Sequence, residues 1–172
     1  MYNEFNYLSS ELLLNVVQKE FEFESERNKG LQNRSGIFIS FIGVIMTVFP
    51  SYINIKRIVD THNVTIGQTG ILLLYLVLII LLFTGLIISL ILFSKTLNTK
   101  QYRRLKTNGF NKNNAIFVNN QVAVELMNDY KIALEHNIQV NDKKANIFGI
   151  AYKILTICIV LIPIIITIKA FI

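Results

Sequence analysis

The chain has no tryptophan, one cysteine, two prolines and two histidines among its 172 residues. A single cysteine, Cys158, allows no disulfide within the chain, and its place in an apolar run predicts a small buried hydrophobic residue. The two histidines are far apart in the sequence, and no zinc, haem or phosphate-loop signature occurs. No serine, cysteine or carboxylate pair has a base at a suggestive spacing, so we expect no enzymatic activity, no metal and no cofactor.

Charge is missing from one long stretch, Ile71 to Phe93, which has 23 residues without a charge, a proline or an amide. At 1.5 Å per residue an α-helix of this length crosses a hydrocarbon core of about 30 Å. A membrane interior offers no water to the backbone, so helix is the expected state. We therefore predict a transmembrane helix.

Two further apolar runs, 36–53 and 147–168, complete three predicted spans. The fold class is an all-α membrane protein, with long amphipathic cytoplasmic helices extending from the first and third spans. We predict one membrane domain over 1–172, made of a cytoplasmic amphipathic helix (1–35), the first span (36–53), an outer loop (54–69), the second span (71–93), a cytoplasmic basic linker and helix (95–146) and the third span (147–168).

The net charge of +6 is unevenly distributed. Most lysines and arginines lie in 1–35 and 95–147, whereas the loop 54–69 has only Lys56 and Arg57. By the positive-inside rule the N-terminus and the segment 95–146 are cytoplasmic. We expect a multi-pass protein of a bacterial inner (plasma) membrane.

Apolar residues recur at helical spacing before the first span, from Leu12 and Leu13 to Phe21. The helix predicted at 118–140 has a similar face, so the two can lie against each other. Glu24 and Arg27 are one turn apart, which predicts a solvated salt bridge, and Glu26 with Lys29 gives a second pair.

Small and polar side chains form one stripe on each of two spans. Such stripes let helices approach closely in lipid. Packing against this chain's own spans is the favoured interpretation of the first stripe, and a contact between subunits or a pore surface is the alternative. For the third span the same pattern suggests a face turned towards other helices or a water-filled space. The predicted helix-packing or pore-lining residues of the first span, which we call the small-residue stripe, are Gly36, Ser40, Gly43, Thr47 and Ser51. Those of the polar face of the third span are Gly149, Lys153, Thr156 and Thr167.

Basic and amide side chains gather near the cytoplasmic boundary of the predicted spans. Retention in the cytoplasm and attraction to anionic headgroups explain the basic residues, at about 1 kcal/mol for each one near the surface. We expect no direct nucleic-acid binding. The residues predicted to contact a signal or a partner are Glu24, Arg27, Arg34, Arg103, Arg104, Asn137, Asn141 and Lys144.

Two patterns carry a resemblance: E-R-N-x5-R-S-G-x-F-x-S-F-x-G from Glu26 to Gly43, and Y-x-x-A-x-x-x-N at Tyr130 to Asn137, followed by Lys144-Ala145. They resemble small bacterial membrane proteins of antiphage defence, namely SLATT-type and cyclic-nucleotide-system transmembrane effectors and CRISPR-accessory membrane proteins. The resemblance implies an effector that is silent until a sensor protein or a nucleotide signal drives it to perturb the membrane. It implies no catalytic residues.

The leading functional hypothesis is an effector that forms homo-oligomers in the lipid bilayer and makes it leaky. The alternative is a non-catalytic structural or regulatory subunit that docks a cytoplasmic partner. A phage holin is a third option, disfavoured because holins rarely need so much amphipathic cytoplasmic helix.

Overall fold

The computed structural model describes residues 9–53, 66–98, 102–105 and 119–171. Its helices are α1 (Ser10–Val48), which continues into a 3-10 turn (Phe49–Tyr52), α2 (Ile66–Thr96) and α3 (Asn119–Phe171). All three are long and apolar enough to cross a membrane, which confirms the all-helical fold and the three candidate spans. The amphipathic and cytoplasmic character of the extensions stays a prediction. Most of the predicted outer loop lies outside the described residues.

The helix boundaries follow from local chemistry. The helix α1 ends at Val48, and Pro50, which has no backbone N–H, sits in the 3-10 turn that follows. The second proline, Pro163, lies inside α3 without ending it. The helix predicted at 118–140 and the third span form the single 53-residue helix α3.

Contacts divide the chain into two compact units. The first unit comprises Met1–Leu31 and Asn98–Lys144, and the second comprises Gln32–Leu97 and Ala145–Ile172. The helices α1 and α3 contribute to both units, whereas α2 belongs to the second. Each unit is described by itself below.

The second unit packs three helices along heptad-like seams. The core-facing residues recur alternately three and four positions apart on every helix, and all are buried or half-buried. They are Ser35, Phe38, Ile42 and Ile45 on α1 with Phe49 of the 3-10 turn, Tyr75, Ile79, Leu82, Leu86, Ser89, Phe93 and Thr96 on α2, and Ala151, Leu155, Cys158, Ile162 and Ile165 on α3.

Three phenylalanines, one from each helix, join this bundle at one end. The ring of Phe38 lies 5.2 Å from that of Phe93 and 5.8 Å from that of Phe148, and the last two rings are 5.4 Å apart. Contacts of this kind add about 0.5–1.5 kcal/mol beyond the burial of apolar area. Nearby, the Thr96 hydroxyl donates to the Ser35 hydroxyl, so both buried side chains are satisfied without water.

The helix α2 lies close to α3 at Gly85. A methyl group at this position would lie 2.5 Å from the Cys158 sulfur. The Cys158 thiol is itself directed at the Leu82 carbonyl, 3.8 Å away. The predicted role of Cys158 as a small buried residue is therefore confirmed, and Gly85 provides the room for it.

The first unit pairs α1 with α3 along a seam of the same spacing, but the seam is partly polar. Its residues on α1 are Ser10, Leu14, Val17, Phe21, Glu24 and Asn28, and on α3 they are Ala123, Leu126, Tyr130, Ala133, Asn137, Val140 and Lys144. The Phe21 ring contacts Tyr130 edge-on at 5.4 Å and Tyr102 at 6.5 Å. Glu24, Asn28, Asn137 and Lys144 lie in seam positions that apolar side chains usually occupy.

Two sequence expectations for α1 are wrong. Leu12, Leu13 and Val16 were expected on the packing side of the helix, but they are exposed. Val17 and Phe21, which belong to the same predicted face, are half-buried and lie on the seam with α3. The seam also passes through Ser10 and Leu14, so it overlaps only one edge of the predicted face. The expected solvated position of Glu24 is also wrong, since only 7% of this residue is exposed.

Candidate functional site: a buried polar cluster and two outward faces

The first unit holds a cluster of buried polar side chains, which we call the polar cluster: Glu24, Asn28, Asn137, Asn141 and Lys144. Each is at most 8% exposed. Buried polar groups cost free energy unless they are hydrogen-bonded, so the partners of each one decide whether the cluster stabilises the fold.

The Glu24 carboxylate is the centre of the polar cluster. It accepts a hydrogen bond from the Asn141 side-chain amide at 2.7 Å, and the same amide donates to the Glu24 backbone carbonyl at 2.9 Å. Arg27 forms an ion pair with Glu24 at 3.3 Å and with Asp142 at 2.9 Å. The hydrogen bond that the Arg27 guanidinium donates to the Asp142 carboxylate, aided by the charge of Glu24, raises the pKa of Arg27 above its usual value. Arg27 thus links the two helices through one carboxylate on each.

Asn137 holds the segment 102–105 against α3. Its side-chain oxygen accepts from the Arg103 backbone N–H at 2.9 Å, and its amide donates to the Arg103 carbonyl at 3.1 Å. These two hydrogen bonds resemble those between neighbouring β-strands. They satisfy both the oxygen and the amide nitrogen of the buried Asn137 side chain. Tyr102 packs beside it, and burial raises the pKa of the Tyr102 phenol.

Lys144 is buried with a single described hydrogen bond, which its ammonium donates to the Asn28 side-chain oxygen at 2.8 Å. Among the described residues no carboxylate lies within 4.0 Å of it. Burial lowers the pKa of Lys144 because the charged form loses hydration. Asn141 also keeps one buried oxygen without a partner in the described structure. The polar cluster is therefore only partly satisfied.

We predict that the first unit becomes more stable as the pH rises from the lowered folded pKa of Lys144 to its unfolded pKa of 10.5. The folded pKa of Lys144 is lowered from 10.5, so the unfolded chain binds more protons there and stability rises with pH. Tyr102, whose folded pKa is raised above 10.0, acts in the opposite direction only beyond pH 10. Hydrogen exchange of peptides from 10–31 and 119–144, corrected for the intrinsic rate, should show the gain as the pH rises towards 10.5. The Lys144→Met variant should lose most of this dependence, and an equal slope in both proteins would contradict the assignment.

The structure brings together most of the residues predicted to contact a signal or a partner. The side chains of Glu24, Arg27, Asn137, Asn141 and Lys144 and the backbone of Arg103 meet inside the first unit. The Arg103 and Arg104 side chains are exposed, and Arg34 is exposed in the second unit. Sequence reasoning did not select Asn28, Tyr102 or Asp142. The heptad spacing from Glu24 could have identified Asn28.

The described ion pairs also revise the predicted pairs on α1. Arg27 does bind Glu24, but through a carboxylate that is buried. Glu26 and Lys29 are both exposed, and the ion pairs of the described residues do not join them.

The small-residue stripe of the first span faces away from the core of the second unit. Ser40, Thr47 and Ser51 are exposed, and a methyl group placed on Gly36 or Gly43 would meet nothing within 4 Å. Packing of this stripe against the chain's own spans, the favoured sequence interpretation, is therefore wrong. The physical reason is that the larger side chains on the opposite side of α1 fill the core.

The hydroxyl groups of this stripe are satisfied within α1. Ser40 donates to the Gly36 carbonyl and Thr47 to the Gly43 carbonyl, each at 3.1 Å. The stripe thus presents a smooth surface with no unsatisfied hydroxyl at these two positions.

The polar face of the third span also points outward. Lys153, Thr156 and Thr167 are exposed, and Gly149 has open space above it. Thr156 donates to the Tyr152 carbonyl and Thr167 to the Pro163 carbonyl, both at 2.9 Å. In the second unit, both predicted faces lie on the outside of the three-helix bundle.

Among the described residues no group of three or more His, Cys, Asp and Glu is placed to hold a metal. Comparison of this chain with protein families, curated proteins and solved structures gives no match.

Proposed function

We propose that this protein is a membrane effector of a bacterial antiphage system, which self-associates through the outward faces of its spans and perturbs or permeabilises the inner membrane. A cytoplasmic sensor protein or a nucleotide signal acting on the first unit is the trigger. The effector role is what the resemblance implies. The structural observation that supports it is the outward position of Lys153 on the third span.

Lys153 lies six residues into the third span, about 9 Å along the helix from Ile147. A lysine at the centre of a helix in lipid costs roughly 2.5–3.5 kcal/mol, and charged residues in spans usually face a bundle interior or a water-filled space. Snorkelling towards the boundary lowers this cost. Because Lys153 faces away from its own bundle, we propose that further copies of the chain provide a polar interior for it.

The small-residue stripe supports the same arrangement. With open space above Gly36 and Gly43, a second helix can approach the α1 backbone closely. In lipid, close approach gives the van der Waals contact that drives association. Self-association through outward faces leaves the internal seams of each copy unchanged.

The experiment is induced expression in bacteria, with the membrane potential followed by a voltage-sensitive dye. The wild-type chain, expressed with its neighbouring genes and a phage trigger, should depolarise the cells. Lys153→Leu and Gly43→Leu should each reduce the depolarisation severalfold. The first substitution removes the charge from the third span, and the second fills the open space through which another helix could approach α1. Thr84→Val, an exposed substitution on α2 away from both faces, should leave it unchanged. An unaltered potential in triggered wild-type cells, with the protein present in the membrane fraction, would contradict the proposal.

A second candidate function is a non-catalytic subunit that docks a cytoplasmic partner. The exposed apolar side chains of α1 in the first unit favour it. In that case Lys153→Leu leaves function intact, whereas charge reversals within 20–29 abolish it.

A further inference from the structure

We infer that the polar cluster is a conformational switch within the first unit, which opens to water while the apolar part of the seam between α1 and α3 stays packed. The closed state is the arrangement in the structure, and in the open state Lys144 is hydrated. This inference rests on the part of the proposed function that makes the first unit the receiver of the trigger, and it names the step that the trigger controls.

The seam between α1 and α3 in the first unit has two parts of different chemistry. Beyond Ser10, its apolar part comprises Leu14, Val17 and Phe21 on α1 and Ala123, Leu126, Tyr130 and Ala133 on α3. The polar part follows on both helices and is occupied by the polar cluster together with Val140. Polar side chains at seam positions make helix pairing less stable than apolar ones do, so the polar part is the weaker of the two.

The closed polar cluster leaves two buried groups incompletely compensated. Lys144 has one described hydrogen bond, to Asn28 at 2.8 Å, and no carboxylate of the described residues lies within 4.0 Å of it. The Asn141 side-chain oxygen is buried without a partner in the described structure. Water supplies hydrogen bonds to both groups, whereas the apolar part of the seam gains nothing from hydration. Opening is therefore favoured at the polar part over the apolar part.

The contacts that oppose opening include one that reaches the surface. Asn141 donates to the carboxylate and to the backbone carbonyl of Glu24, and Arg27 joins Glu24 to Asp142 across the two helices. The side chains of Arg27 and Asp142 are 35% and 58% exposed, so water and salt weaken this ion pair. Loss of the ion pair shifts the equilibrium towards the open state.

Lysine labelling of the full chain in nanodiscs measures the opening directly. Lys143 is exposed, whereas its neighbour Lys144 is only 5% exposed. The acetylation rate of each lysine is followed by peptide mass spectrometry at constant pH and divided by the rate of the same lysine in the denatured chain. Lys143 should react almost as fast as in the denatured chain, and Lys144 should be protected.

The size of that protection distinguishes a local opening from unfolding of the unit. Protection of Lys144 should be at least tenfold smaller than protection of the slowest amide hydrogens between residues 126 and 136, because the apolar part opens only with the whole unit. Equal protection of the two would overturn the inference, since Lys144 would then be exposed only when the first unit unfolds.

One substitution should hold the polar cluster closed. Asn28→Asp places a carboxylate where the Asn28 oxygen now accepts from the Lys144 ammonium, so a hydrogen bond becomes an ion pair. Acetylation of Lys144 should slow at least fivefold. Asn15→Asp makes the same change at an exposed position of α1 in the first unit and should leave the rate within twofold. Equal rates in Asn28→Asp and Asn15→Asp would contradict the switch.

A second substitution should open the polar cluster. Asp142→Asn removes the carboxylate that pairs with Arg27 at 2.9 Å, and its exposed position makes it compatible with folding. Acetylation of Lys144 should rise at least threefold, whereas Asp129→Asn, a matched change at an exposed position of α3, should have no effect. A Lys144 rate that Asp142→Asn leaves unchanged would overturn the inference.

The role of the switch in the proposed function is tested in the membrane-potential assay. Asn28→Asp should reduce the triggered depolarisation severalfold, and Asp142→Asn should cause depolarisation without phage. If Asn28→Asp slows acetylation of Lys144 but leaves the depolarisation unchanged, the polar cluster is not the step that the trigger controls. A triggered wild-type chain that leaves the potential unaltered contradicts the effector proposal alone, because the acetylation rates still show whether the cluster opens.

Discussion

Replacing Arg27 by methionine should destabilise the first unit by about 3 kcal/mol. Methionine keeps most of the apolar stem, so the change mainly removes the guanidinium that pairs with Glu24 at 3.3 Å and with Asp142 at 2.9 Å. Glu24 is almost completely buried, and its carboxylate would be left with the Asn141 amide and no cation among the described contacts. Hydrogen exchange of peptides from 10–31 and 119–144 measures the loss.

Two further variants separate this pairing from a general charge effect. Arg34→Met removes the same group from an exposed position and should cost less than about 0.5 kcal/mol. Adding Glu24→Gln to Arg27→Met should recover part of the lost stability, because a neutral amide does not need the cation. If Arg27→Met costs no more than Arg34→Met, the polar cluster does not hold α1 to α3.

Substituting Gly85 by alanine should destabilise the second unit by about 1–3 kcal/mol, and by more with leucine. The new methyl group would lie 2.5 Å from the Cys158 sulfur, so either that side chain rotates or α2 moves away from α3. Alanine is otherwise the better helix former by about 1 kcal/mol, so the net loss measures the steric conflict. Thermal unfolding in detergent, followed by circular dichroism, gives the effect.

Matched variants make this prediction specific. Gly43→Ala has open space above it and should be neutral or stabilising in the monomer. Cys158→Ala removes the sulfur, and the double variant with Gly85→Ala should unfold at a higher temperature than Gly85→Ala alone. Destabilisation by Gly85→Ala that persists without the sulfur would show that another contact limits the approach of the two helices.

Much of the fold could be predicted, because the length and hydropathy of a helix depend only on residues that are neighbours in the sequence. The uncharged run from Ile71 to Phe93 can be identified as a candidate span without tertiary information. Pro50 likewise indicates from the sequence alone where the helix of the first span ends. The candidate site was predicted in part. Glu24, Asn137 and Lys144 were selected for their charge or amide groups near the boundary, but nothing in that pattern showed that they are buried.

The faces of the helices were harder to assign, and the reason is physical. In a soluble helix, water makes the apolar side the inner one, but in a span both sides are apolar and the distinction weakens. Gly36 and Gly43, selected as the packing side, lie outside, whereas the bulky Phe38 and Ile42 fill the core. In the first unit Leu12 is more apolar than Ser10, yet Ser10 is the buried one.

The sequence by itself determined that the chain is helical and that three segments can cross a membrane, because these properties depend on runs of neighbouring residues. Only the tertiary structure decided which side of each helix is inside. That choice depends on how side chains from different helices pack together. Examples are Gly85, which leaves room for Cys158, and Asn141, which donates a hydrogen bond to Glu24. It turned the small-residue stripe and Lys153 towards the outside of the three-helix bundle.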